Sequence, residues 1–133
     1  MNKLTYVNID ELKVGDSVGF CSYPTYGWNI DFRYPVISKR TIERITPKRT
    51  KFILNGGTEL NNREAKQLVV LNEEAQRQSY VARTLCDLRH ILYKIDESNR
   101  NGVHLIEKKL SDEELIEYRK FMKSLYDKYI EGN

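Results

Sequence analysis

Residues 68–95, LVVLNEEAQRQSYVARTLCDLRHILYKI, decide the fold class, because the spacing of apolar residues changes within them. Residues 68–71 are all apolar and indicate a short buried strand. Asn72 is a good helix N-cap, and the acids Glu73 and Glu74 suit the positive end of a helix dipole. Beyond them, one helix face is formed by apolar residues at steps of 4, 3, 4 and 3: Val81, Leu85, Leu88, Leu92 and Ile95.

A second helix is indicated nearer the C-terminus. Ser111-Asp112-Glu113-Glu114 has the form of a capping box, in which the Ser111 and Glu114 side chains satisfy each other's backbone N–H groups. Apolar residues then recur at steps of 3, 4, 3 and 4: Leu115, Tyr118, Met122, Leu125 and Tyr129. These patterns predict helices over 73–95 and 112–130, with a tight turn at Asn101-Gly102. Two matching apolar stripes predict an antiparallel helical hairpin.

On the N-terminal side of the helices, residues 1–71 contain about five short segments with strand character, separated by tight turns. Residues 36–45 are rich in β-branched side chains, residues 51–54 form the next strand, and Asn55-Gly56-Gly57 is a strong hairpin signal. So many short strands must curl to bury one face. We therefore predict an α+β protein in which a small barrel of residues 1–71 packs with a hairpin of residues 72–133 as one compact domain.

The segment Leu12-Lys13-Val14-Gly15-Asp16-Ser17-Val18 resembles the L-x-x-G-D-x-V opening of SH3-like and KOW-like small barrels. Three later segments look like the successive hairpins of such barrels in short bacteriophage proteins: Ile42-Glu43-Arg44-Ile45-Thr46, Lys51-Phe52-Ile53-Leu54 and Gly57-Thr58-Glu59-Leu60. The resemblance covers residues 8–71. It implies an SH3-like barrel, phage or prophage origin, and non-enzymatic binding of nucleic acid or of a host protein. Host takeover or anti-defence, as in an anti-CRISPR protein, is the kind of role that it implies.

Composition limits the remaining classes of protein. The 133 residues contain no run of apolar residues long enough to cross a membrane, and the N-terminus has no signal-peptide core. Two distant cysteines, Cys21 and Cys86, do not make a disulfide framework. We expect a cytoplasmic protein without membrane contact.

No catalytic arrangement stands out. Cys86 and His90 share a helix face, but one shared face does not build an oxyanion site, and no histidine or cysteine pair has zinc spacing. The acid clusters lie at helix starts, where the helix dipole explains them. We therefore expect no enzymatic activity, no metal and no cofactor.

Charge is unevenly distributed, although the net charge is only +3. Residues 33–66 hold nine basic residues against three acidic ones. Single-stranded nucleic acid is bound by cations on its backbone and by flat rings that stack on bases. The sequence thus predicts that five cations contact phosphates: Arg40, Arg44, Lys48, Arg49 and Lys51. It also predicts that Tyr26 and Trp28 stack on bases.

Other interpretations stay open. The same basic residues are equally compatible with the solvated faces of ordinary strands and turns. The aromatic loop of residues 21–35 could instead anchor a protein partner, with Trp28 as the residue most suited to a contact. A protein-binding inhibitor or adaptor is thus the alternative to DNA or RNA binding, and the two helices could also join two copies in a homodimer.

Overall fold

The computed structural model describes residues 3–132 and shows an α+β protein. Its main elements, in chain order, are β1 (Ser17–Ser22), β2 (Thr25–Tyr26), β3 (Ile30–Asp31), β4 (Val36–Ile45), β5 (Lys51–Leu54), β6 (Glu59–Asn61), α1 (Asn62–Ala65), α2 (Glu73–Arg100) and α3 (Asp112–Tyr126). The chain forms two compact units, one up to Asp87 and the other from Leu88. The division falls inside α2 rather than at residue 71.

In the first unit, four antiparallel strands form a curled half-barrel in the order β1-β4-β5-β6. Register places Val18 opposite Arg40 and Phe52 opposite Leu60, and a bulge between Ile42 and Arg44 bends β4. The concave side buries a core made of Leu12, Val18, Ile42, Phe52, Leu54, Leu60, Ala65 and Leu68. The expected hairpin turn is confirmed, since Gly56 and Gly57 both have φ of +84°.

Residues 68–71 do not form the full strand that we expected. Only Val69 bridges to β1: its N–H donates to the Gly19 carbonyl at 3.0 Å, and the Gly19 N–H donates to its carbonyl at 2.8 Å. On the other side of this segment, the Val70 N–H donates to Thr5 at 2.7 Å. The single bridge still returns the chain to the first strand. Pairing is short because α2 begins at Glu73, where the Asn72 side chain accepts a hydrogen bond from the Ala75 N–H at 2.9 Å.

The convex side of the sheet carries a second, smaller core of Ile37, Val69 and Ala75. Gly19 lies under it, and a Cβ there would stand 2.7 Å from both the Ile37 and Val69 side chains, so the close approach requires glycine. The Ser79 hydroxyl accepts from the Ile37 N–H at 2.9 Å, and Arg83 donates to the Ile37 carbonyl at 3.2 Å. Side chains from the first turns of α2 thereby provide hydrogen-bond partners for the backbone of Ile37 at the open edge of β4.

The second unit contains the rest of α2, one π-helical turn (Leu105–Lys109), α3, and a last π-helical turn (Asp127–Glu131). The predicted capping box is confirmed: the Ser111 hydroxyl accepts from the Glu114 N–H at 3.2 Å, and the Glu114 carboxylate accepts from the Ser111 N–H at 2.9 Å. Helix α2 continues five residues past the predicted end at residue 95. No helix within residues 3–132 is both long and apolar enough to span a bilayer.

Both predicted helices are present, but the prediction that their apolar stripes bury each other is wrong. None of residues 88–132 is buried, and Leu88 and Met122, at the centres of the two stripes, are 49 % and 44 % exposed. The 3-and-4 spacing of apolar residues defines a helix face, but it does not define what that face contacts.

Candidate binding site

The loop between β1 and β4 is built around a small hairpin. Thr25 pairs with Asp31 and Tyr26 with Ile30, and three residues connect the two strands. Gly27 and Asn29 on either side of the tip both have left-handed backbones, with φ of 58° and 59°. The chain therefore reverses tightly around Trp28, whose side chain is 89 % exposed. Tryptophan is usually largely buried, so a ring with this exposure does not serve the core of the chain.

Other apolar side chains accompany Trp28 on this hairpin. Tyr26 and Ile30 are directly paired across the two strands, so they share one face, and both are about half-exposed. Tyr23, just before the hairpin, is also exposed. We call these four residues (Tyr23, Tyr26, Trp28 and Ile30) the aromatic hairpin.

The aromatic hairpin is held at its base by a stacked set of side chains. The Phe32 N–H donates to the Pro24 carbonyl at 2.6 Å and closes the two legs of the loop. The Arg33 guanidinium lies 4.7 Å from the Phe32 ring centre and 5.2 Å from that of Tyr34. From α2, Arg77 lies 5.1 Å from the Tyr34 ring centre and donates to the Tyr34 hydroxyl at 3.3 Å. These cation–π contacts tie the loop to the helix.

The charged groups at the base of the aromatic hairpin stabilise one another's ionised forms. Arg77 binds the Glu74 carboxylate through two hydrogen bonds of 3.0 and 2.7 Å. The hydrogen bonds from Arg77 and Gln78 lower the pKa of Glu74. The hydrogen bond and charge of Arg77 lower the pKa of Tyr34, and both partners raise the pKa of Arg77. At neutral pH the ion pair is therefore intact, and the loop base is pre-organised.

The predicted phosphate-binding cations divide into two groups, and Arg40 belongs to the structural one. Its guanidinium donates to the Asn55 side chain at 3.1 Å, to the Asn55 carbonyl and to the Thr58 hydroxyl at 2.9 Å. It also lies 5.5 Å from the centre of the Phe20 ring. Arg40 thus holds the turn between β5 and β6 against the side of β4.

Arg49 and Lys51 are engaged as well. The Arg49 guanidinium donates to the Ile9 and Leu12 carbonyls at 2.7 and 2.9 Å, and so attaches the 3-10 turn Ile9–Glu11 to the barrel. Lys51 forms an exposed ion pair of 3.0 Å with Glu59 on the next strand. Such a surface ion pair is weak, so Lys51 can leave Glu59 to bind another anion. The half-buried hydrogen bonds of Arg49 cost too much to break for the same exchange.

Arg44 and Lys48 form the other group. Both are exposed, and neither side chain makes a hydrogen bond or ion pair with any residue from 3 to 132. Arg44 lies near the end of β4, whereas the aromatic hairpin joins the start of β4 at Val36. Eight residue steps along β4 separate these two positions, about 26 Å of strand at the usual rise. The predicted cations and aromatic residues are therefore not gathered at one end of the strand.

Sequence reasoning missed two residues of the site, Ile30 and Arg77. Ile30 could have been found from its symmetric position with Tyr26 about the tip of the loop. The spacing of Glu74 and Arg77 suggests an ion pair, but nothing in the sequence indicates that Arg77 also contacts Tyr34.

Both cysteines are free thiols, Cys21 partly buried and Cys86 exposed. Burial raises the pKa of the Cys21 thiol, which makes it a poor nucleophile at neutral pH. Within residues 3–132, no group of three or more His, Cys, Asp or Glu side chains is arranged to hold a metal ion.

Comparison with known proteins returns no significant match, whether to a family model, a curated protein or a solved structure.

Proposed function

We propose that this chain is a non-enzymatic binding protein that recognises another protein through the aromatic hairpin. The observation that carries the proposal is Trp28, 89 % exposed at the tip of a loop whose base is fixed by stacked side chains. Tryptophan and tyrosine are the residues that most often supply the binding energy of protein interfaces. A loop that is ordered before binding loses little conformational entropy on binding.

The contacts of the cations favour a protein partner over nucleic acid. Arg40 and Arg49 use their guanidinium groups to hold the barrel together, and Lys51 is paired with Glu59. This leaves two of the five proposed phosphate contacts, Arg44 and Lys48, without a partner among the described residues. A protein partner needs only the apolar anchor and its polar rim.

We further infer that the first unit is an SH3-like barrel. The support is its topology: short antiparallel strands follow one another around the half-barrel, and Val69 then returns to pair with Gly19 of the first strand. On this basis the long loop between the first two barrel strands is the contact loop. A host-takeover or anti-defence adaptor of phage type would act through such a surface.

Nucleic-acid binding is the second candidate function. It is favoured by the exposure of Arg44 and Lys48 and by the charge of residues 1–87, which hold 13 Lys/Arg against 10 Asp/Glu. Phosphate contacts release counterions, so binding of this kind would weaken steeply as salt rises.

The test is a comparison of cross-linked partners of the wild-type chain and of Trp28→Ala in the cells that express it. Tyr80→Ala is the matched control, because Tyr80 is an exposed ring on α2 and is not part of the aromatic hairpin. We expect Trp28→Ala to weaken a specific protein complex by about 30-fold, as hot-spot removal does, and Tyr80→Ala to leave it unchanged.

The opposite result is equally clear. Retention of DNA or RNA that falls steeply with salt and is lost in the pair Arg44→Glu and Lys48→Glu would replace the proposal by the second candidate. The pair Arg63→Glu on α1 and Lys66→Glu directly after it is the control for net charge, since it removes two other exposed cations of the first unit.

A further inference from the structure

The second unit exposes an amount of apolar surface that is unusual for a folded segment. No residue from 88 to 132 is buried. Eight large apolar side chains on its two helices are between 38 % and 62 % exposed: Leu88, Ile91, Leu92, Leu115, Phe121, Met122, Leu125 and Tyr126. Contiguous apolar patches of this kind mark surfaces that another molecule covers.

These side chains are grouped on one face of each helix. At 100° per residue, Leu88, Ile91 and Leu92 lie within about 100° of one another on α2. On α3, Leu115, Met122, Leu125 and Tyr126 occupy a similar sector, flanked by Phe121. The apolar spacing averages 3.5 residues, which is the spacing of helices packed side by side in bundles.

We propose that these two helix faces, one on α2 and one on α3, bind a second copy of the same chain. The available area fits that partner. A fully exposed large side chain offers about 200 Å², so eight of them at these exposures present about 750 Å². A stable protein interface buries about 800 Å² on each partner.

The charge of the second unit also fits self-association. Residues 88–133 hold nine Lys/Arg and nine Asp/Glu, so two copies approach without net repulsion. The polar side of α3 mixes four acids with three bases, whereas helices that lie on anionic bilayers carry mainly Lys and Arg there. A nucleic acid would require the excess of cations that this unit lacks.

The decisive measurement is the mass of the full chain by light scattering across a hundredfold range of micromolar concentrations. We expect twice 15.7 kDa for the wild type. Leu92→Glu and Met122→Glu each place a charge at the centre of the face, and each should raise the dimer dissociation constant more than about 100-fold.

The matched control is Ile116→Glu. Ile116 is an apolar residue of α3 and is 64 % exposed, but it lies about 140° from the centre of the stripe, on the opposite side of the helix. This variant should remain dimeric. A dimer that survives both stripe substitutions, or that is lost in Ile116→Glu to the same extent, would overturn the assignment of the face.

The wild-type chain alone also tests the proposal. If any variant fails to fold, the thermal midpoint of the wild type still decides, because the stability of a dimer increases with protein concentration and that of a monomer does not. A constant midpoint, or a mass of 15.7 kDa at every concentration, would overturn the proposal. Trp28→Ala should leave the dimer intact, so the outcome is independent of the proposed function.

Discussion

The two units of this chain use their apolar residues in opposite ways. In the first unit, strands and one helix segment enclose Phe52, Ile42 and Leu54 completely, and the basic excess of the chain lies around them. In the second unit, the end of α2 and the capped helix α3 leave none of residues 88–132 buried, and the charges of the unit balance. The difference shows that a regular apolar pattern can form either an internal core or an exposed face, and that only burial distinguishes the two.

The largest expected effect comes from removing one phenylalanine side chain from each unit. Phe52 has no exposed surface, whereas Phe121 is 62 % exposed. We expect Phe52→Ala to lower the free energy of unfolding by about 3–5 kcal/mol, the usual cost of emptying a buried aromatic site. Phe121→Ala should cost well under about 1 kcal/mol when the chain is monomeric.

Urea denaturation at a dilution that keeps the chain monomeric measures both values. Equal losses for the two phenylalanines would mean that the face of α3 is covered within a single chain, and the contrast between the units would fail. The slope of the transition gives a further check, since it reports the surface that unfolding exposes.

The fold class could be predicted from the sequence because local physics decides it. The change of period at residue 72, the cap at Asn72 and the capping box at Ser111 all depend on neighbouring residues, and the structure confirms each. The end of α2 was predicted too early, at residue 95. The polar residues that follow suggested a break, yet they are compatible with a helix, and Arg100 pairs with Asp96 at 3.0 Å.

Predicting the site was harder because its contacts join distant parts of the chain. Composition alone indicated that Trp28, in a polar loop, is suited to a contact, and the structure exposes it. The roles of Arg40 and Arg49 could not be found in that way. Arg49 donates to carbonyls 37 and 40 residues away, and no local pattern distinguishes it from the exposed Arg44.

Arg49 and Arg44 therefore offer a second test, smaller in effect, of which cations belong to the barrel. Arg49→Met leaves the Ile9 and Leu12 carbonyls without their donor and should cost about 1–3 kcal/mol of unfolding free energy. Arg44→Met should change it by less than about 0.5 kcal/mol, as surface substitutions do. Chemical denaturation midpoints compare the two, and an equal loss from Arg44→Met would show that Arg44 has a structural partner.

The smallest effect concerns the ion pairs of the two units. Arg77 pairs with Glu74 and also contacts Tyr34 at the base of the aromatic hairpin, whereas Arg100 forms an exposed ion pair with Asp96 within α2. Because the Arg77 hydrogen bond is the main cause of the lowered pKa of Tyr34, Arg77→Gln should raise that pKa toward its ordinary value. The pKa of Glu74 should rise in the same variant, less completely, because the hydrogen bond from Gln78 remains.

The sign of the resulting pH dependence follows from Glu74. Its pKa in the folded chain is lowered, so the stability that it contributes is present above its unfolded pKa and is lost as the pH falls through the folded value. Arg77→Gln should flatten this acid limb of the stability curve, and Arg100→Gln should leave it unchanged. Carbon-13 NMR titration of the Tyr34 ring and of the Glu74 carboxylate follows both groups directly. If Arg100→Gln moved either pKa, the electrostatics of the second unit would be coupled to the aromatic hairpin, and the two units would have to be treated as one.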